Sequence, residues 1–67
     1  MRFELKGDSI RLGQLLKAAG CVSSGVDAKM VIRMGEVKLN GQECLMRGKQ
    51  VVRGDVVEYG GDRIEVV

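Results

Sequence analysis

Beyond the first ten residues, the hydrophobic period of this chain changes once, from 3.6 residues to 2, at Gly35. Upstream, Leu12, Leu15, Leu16 and Ala19 recur at the spacing that makes one apolar helix stripe. Ala28, Val31 and Ile32 repeat the pattern, with Met30 and Met34 beside it. Downstream, Val37 and Leu39 alternate with Glu36 and Lys38, and further strand-like runs cover 56–59 and 63–67. Two helices followed by strands, in a chain of only 67 residues, predict a single α+β domain over 1–67. Its helices should pack on a small, mostly antiparallel sheet.

The punctuation between these runs is chemically specific. Residues 2–6 read as an N-terminal strand with Phe3 and Leu5 on one face. Gly7-Asp8-Ser9 reads as a turn in which Asp8 or Ser9 caps a helix over 10–19, and Gly20 ends that helix. Ser24 and Asp27 stand three apart, a shortened capping box, so a second helix begins near Ser24 and stops at Gly35. Only Gly20 to Ser23 joins the two, which makes them a tight helical pair. Asn40-Gly41 is a strong two-residue hairpin signal, with 42–46 as the return strand. Residues 47–54 read as irregular, and turns at Gly54-Asp55 and Gly60-Gly61-Asp62 frame a last hairpin with Val57, Tyr59, Ile64 and Val66 inward.

Composition removes whole classes of chemistry. With no His, the chain has no imidazole base and no His-ligated metal site. Cys21 and Cys44 are too few for an all-Cys zinc site, and without a His neither has the usual partner of a catalytic thiol. They are expected to be free, buried thiols in a reducing compartment. Phe3 and Tyr59 are the only aromatics, so an aromatic base-stacking platform is not expected. No enzyme activity, cofactor, metal or small-molecule substrate is anticipated. No apolar run approaches the ~18 residues of a membrane span. The alternating start Met1-Arg2-Phe3-Glu4-Leu5-Lys6 is unlike a signal peptide, so a cytoplasmic protein is expected.

Charge is unevenly placed. Residues 29–53 carry six cations against Glu36 and Glu43, whereas 54–67 carry only Arg63 against Asp55, Glu58, Asp62 and Glu65. A basic stripe on a small domain is the electrostatic footprint of a polyanion partner. Lys29 and Arg33, four apart, share one helix face, where like charges cost a few tenths of a kcal/mol unless an anion lies across them. Taken in isolation, that pair reads as a merely solvated face. Arg11 opens the first helix and Lys38 lies on the first strand beyond Arg33, so both are placed to extend the stripe.

The stretch from Arg11 to Gly41 reads R-L-x-x-L-L-x-x-x-G-x-x-x-S-x-x-x-A-K-x-x-I-x-x-G-x-V-K-x-N-G. In this order and spacing it resembles the RNA-binding domain named after ribosomal protein S-four, the αL motif. The matching residues are Arg11-Leu12, Gly20, Ser24, Ala28-Lys29, Gly35, Val37 and Asn40-Gly41. A later Val-x-x-Gly-Asp is matched by Val51 or Val52 through Gly54-Asp55, so the resemblance covers nearly the whole chain. Two positions depart from it. Gly13 stands where many members have Asp, and Gly25 where many have an RNA-facing Arg. The Ser-Gly form, with the Leu-Leu-Lys, Ala-Lys and Gly-x-Val-Lys stretches, is similar to the small stand-alone bacterial YbcJ-like members, in which the domain is the entire protein.

The resemblance implies an N-terminal strand, a two-helix αL motif on a mostly antiparallel sheet, and binding of structured RNA. That RNA would be ribosomal or tRNA-like, with ribosomal particles as further partners and no membrane involved. Arg11, Lys29, Arg33 and Lys38 are the expected core contacts, with Arg47 and Lys49 closing around the RNA from the irregular loop. Such cations neutralise phosphates and carry little sequence information, so recognition would rest on RNA shape. The acidic last strands should turn away. The competing readings are a protein–protein adaptor, marked by an exposed apolar patch, and a DNA binder. A DNA binder would need the Arg, Asn and Gln base-reading set that neither helix carries. A ubiquitin-like sulfur carrier needs a terminal Gly-Gly, whereas Gly60-Gly61 is internal.

Overall fold

The change of period at Gly35 is a boundary in space as well. The computed structural model describes residues 1–67 and contains helices α1 (Leu12–Ala18) and α2 (Gly25–Arg33). Its seven short strands are β1 (Arg2–Phe3), β2 (Ile10–Arg11), β3 (Val37–Leu39), β4 (Gln42–Glu43), β5 (Gln50–Val51), β6 (Val56–Tyr59) and β7 (Asp62–Val66). Five form one sheet in the order β1-β7-β6-β3-β4, and β2 and β5 form a separate two-stranded ladder. Every pairing is antiparallel except β1 with β7, which run parallel with Arg2 opposite Glu65 and Phe3 opposite Val66.

The strand alternation decides which face the helices cover. Val37, Val57, Ile64 and Val66 point inward and join Leu12, Leu15, Leu16 and Ile32 in one buried cluster. Leu5 and Val51 complete it, and Ala28 is buried at the helix–helix contact. Tyr59, expected inward, is only half-buried at the edge of this cluster. No helix is long and apolar enough to cross a membrane.

Helix boundaries follow local chemistry at three of the four ends. Ser24 caps α2, its hydroxyl accepting from the Asp27 N–H at 3.2 Å, while the Ser23 hydroxyl donates to the Asp27 carboxylate at 2.7 Å. The Asp27 carboxylate thus reaches back to the Ser23 hydroxyl instead of to the Ser24 N–H that a full capping box would use. Gly35 sits at φ +77°, and the Gly35 and Glu36 N–H groups donate back to the Ile32 and Val31 carbonyls, closing α2 with a Schellman motif. Gly20 closes α1 in the same way, with Cys21 donating to the Leu16 carbonyl at 2.9 Å.

The start of α1 departs from expectation. Neither Asp8 nor Ser9 caps it. Ile10 and Arg11 remain extended because β2 pairs with β5, Ile10 opposite Val51 and Arg11 opposite Gln50. The segment 47–54, expected to be irregular, therefore contains a strand. The return strand of the first hairpin is also shorter than 42–46, ending at Glu43. Both cysteines are free as expected, but half-buried rather than buried. Burial pushes the Cys21 thiol up from its usual 9.0, and the Asp62 carboxylate adds to the rise while the terminal ammonium opposes it. Cys21 thus stays a neutral thiol at physiological pH.

Asn40 does more than turn a hairpin. Asn40 (φ +52°) and Gly41 (φ +83°) form the positive-φ pair of a type I′ turn. The Asn40 side chain also donates to the Asp55 carboxylate at 3.0 Å and accepts from the Val56 N–H at 2.9 Å. Asp55 in turn accepts from the Val52 N–H at 2.9 Å. The Asn-Gly and Gly-Asp signals are therefore two halves of one clamp. Asn40→Gly keeps the backbone conformation and removes only the clamp; it should destabilise the fold by about 1–2 kcal/mol in urea denaturation. An unchanged midpoint would show that water replaces both bonds at no cost.

Candidate nucleic-acid interface

The ladder of β2 and β5 fixes the geometry of the site. It brings the loop before β5 against the first turn of α1, whose opening amides need acceptors. The Leu12 N–H donates to the Lys49 carbonyl at 2.9 Å, and the Gly13 N–H to the Arg47 carbonyl at 3.0 Å. The loop backbone thus replaces a side-chain cap. A Cβ on Gly13 would lie 3.6 Å from Arg47 Cβ and 3.8 Å from Ala28 Cβ, so Arg47 is anchored where α1 meets α2.

Two depressions flank Arg47. One is a groove of about 350 Å³ walled by Arg11, Gln14, Lys17 and Arg47. Its remaining lining residues are Gly13, Gly25 and Gly48, and a Cβ at either of the last two would meet nothing within 4 Å. The other, of about 270 Å³, is bounded by Lys29, Arg33, Leu45 and again Arg47. Arg47 links them, so Arg11, Lys17, Arg47, Lys29 and Arg33 form one continuous basic strip. No lining residue of either depression is acidic. Among all the Lys and Arg side chains, only Arg53 donates a hydrogen bond to the protein, at 2.7 Å to the Leu5 carbonyl. The side-chain donors of the strip are therefore unused within the fold.

Four of the six sequence candidates meet here: Arg11, Lys29, Arg33 and Arg47. Lys49 is exposed at the rim, tied through its carbonyl to the start of α1, and lines neither depression. Lys38 goes elsewhere. Its cross-strand neighbours are Glu43 and Glu58, and Glu58 is followed by Arg63 on β7. Cross-strand partners share a face, so Lys38 stands in a row of alternating charge on the outer side of the sheet, away from the helices. The acidic Glu58 and Glu65 lie on that same outer face. Lys17, absent from the sequence candidates, joins the strip. Its spacing of three from Gln14, itself three from Arg11, was the available signal.

A sequence model of the S4 domain matches residues 3–67. This chain belongs to the S4 domain family. YbcJ of Escherichia coli (strain K12), named as an RNA-binding protein, is 34% identical over 62 residues, spanning 92% of this chain and 89% of YbcJ. RlbA of Bacillus subtilis (strain 168), named for ribosome maturation, is 41% identical over 54 residues, covering 81% and 76% of the two chains. The solution structure of YbcJ, described as revealing an αL motif involved in RNA binding, superposes with a TM-score of 0.75. It covers 98% of this chain and 85% of YbcJ.

The S4 pattern acquires physical meaning in this fold. Its first helix opening, Arg11-Leu12, is the point where β2 hands over to α1, and its Asn40 and Asp55 are the two sides of the clamp. Both departures from the pattern, Gly13 and Gly25, line the same groove. This S4 domain thus has a basic groove kept open by small residues.

Proposed function

We propose that this S4 domain binds structured RNA, ribosomal or tRNA-like, through Arg11, Lys17, Lys29, Arg33 and Arg47, with Lys49 at the rim. The observation that carries the reading is the strip itself: five cations from β2, α1, α2 and the 47–48 turn, with neither an acid nor an internal hydrogen-bond partner among them. The names of YbcJ and RlbA fit this reading, the first through RNA binding and the second through ribosome maturation. Phosphates settling along the strip would release counterions, and the repulsion between Lys29 and Arg33 would become attraction to a shared ligand. Glycines along the groove let a phosphate approach the backbone closely. The outer face of the sheet, where Arg2, Lys38 and Arg63 alternate with Glu43, Glu58 and Glu65, is charge-balanced and offers a phosphate backbone no comparable attraction.

A salt series of fluorescence anisotropy tests this, with a structured ribosomal RNA fragment, a single-stranded RNA and a DNA duplex as ligands. Four to six phosphate contacts give a log–log slope of roughly −3 to −5 for the structured RNA, with weaker binding of the other two. No binding of any of the three at low salt would leave the strip a solvated face and favour a protein partner.

A further inference from the structure

Two large apolar side chains stand exposed where packing has no use for them. Leu45 is 55% and Met46 is 65% exposed, in the stretch between β4 and β5. That stretch is not slack. The Cys44 N–H donates to the Val37 carbonyl at 3.0 Å, the Lys49 N–H to the Met46 carbonyl at 3.1 Å, and the bonds from Leu12 and Gly13 hold its far end to α1. Leu45 and Met46 are thus presented at fixed positions, and Leu45 shares its hollow with Lys29, Arg33 and Arg47.

The chemistry of that hollow narrows the ligand. Three cations around an apolar side chain fit a molecule that carries an anion and an apolar face side by side. A continuous A-form duplex offers phosphates and a minor groove lined with ribose hydroxyls, but its base faces are stacked away. An unpaired nucleotide offers a base face next to its own phosphate. Leu and Met are side chains that act as wedges at opened base steps. An anionic bilayer combines the same features, but its usual protein counterpart is a long amphipathic helix rather than two residues on a pinned turn. The other exposed apolar pair, Met30 and Met34, shares its hollow with Asp27 and no cation, so it offers phosphate nothing.

We infer that Leu45 and Met46 form an apolar wedge that takes the face of an unpaired nucleotide whose phosphates are held by Lys29, Arg33 and Arg47. The preferred RNA is then a duplex interrupted by a bulge or an open end. This inference rests on the RNA-binding reading and narrows it.

The test uses two RNA hairpins, identical except for one bulged 2-aminopurine. The unaltered protein should prefer the bulged hairpin about tenfold, with a change in 2-aminopurine fluorescence on binding. The double variant Leu45→Ser/Met46→Ser should lose the preference and the fluorescence change, yet bind the uninterrupted hairpin as before and melt at the same temperature. Equal binding of both hairpins by the unaltered protein overturns the wedge and leaves RNA binding standing. Failure to bind either hairpin sinks the RNA-binding reading and the wedge with it. A double variant that weakens equally on both hairpins also overturns the wedge. So does one that keeps the preference but no longer binds phosphatidylglycerol vesicles, a result that assigns the patch to a membrane surface.

Discussion

The variant Arg11→Ala/Arg33→Ala/Arg47→Ala should bind structured RNA about a hundredfold more weakly than the unaltered protein at moderate salt, with the salt slope flattened by roughly two to three. Arg47 is the decisive member because it borders both depressions, and Arg11 and Arg33 lie on either side of it. All three side chains are exposed and none donates a hydrogen bond to the protein, so the thermal midpoint should hardly move. Lys38→Ala serves as the contrast. Between Glu43 and Glu58 on the outer face of the sheet, Lys38 should act on RNA only through the screened long-range field. Its removal should leave the slope nearly unchanged. If Lys38→Ala flattened the slope as much as Arg47→Ala, the RNA would lie across the sheet and the proposed strip would be wrong.

Leu15→Ala should cost about 2–5 kcal/mol, the range for a large-to-small change that leaves a cavity. The total stability of a domain this size is roughly 3–10 kcal/mol, so the variant should be partly unfolded at 37 °C. Leu15 is fully buried between α1 and the sheet, in a core of only eleven buried residues, so few neighbours can relax into the space. Leu15→Met keeps the volume and should cost less than about 1.5 kcal/mol. Urea denaturation followed by circular dichroism reads both. A loss below 1 kcal/mol for Leu15→Ala would mean that the helices ride on the sheet without stabilising it.

The two predictions test parts of the molecule that were not equally legible in the sequence. The helical pair, the Schellman stops at Gly20 and Gly35, the Ser24 cap and the Asn40-Gly41 turn all depend on residues within about five positions of one another. Such signals survive in a linear string because the physics is local: a period, a hydroxyl three residues from an amide, a positive φ. The core followed from the same periods. Leu12, Leu15, Leu16, Ala28, Ile32, Val37, Val57, Ile64 and Val66, expected to face inward, are all buried, whereas Ala19, Val31 and Tyr59 of the same stripes are half-buried at the edge of the core.

What the tertiary structure decided lies in pairings between distant residues. Ile10 and Arg11 fit the start of a helical pattern, yet Gln50 and Val51 hold them extended across about forty residues of chain. A ladder of two residues leaves no periodic trace, so the loop carbonyls that cap α1 were invisible too, and with them the placement of Arg47 over the helix junction. The Asn40–Asp55 clamp and the parallel contact of β1 with β7 are of the same kind. For the strip, residue type was readable and direction was not. Composition identified the cations, but helical phase carried Lys17 into the groove and strand alternation carried Lys38 to the opposite face. A sequence read along its length determines which side chains share an element; only the packing of the elements determines which of them share a surface.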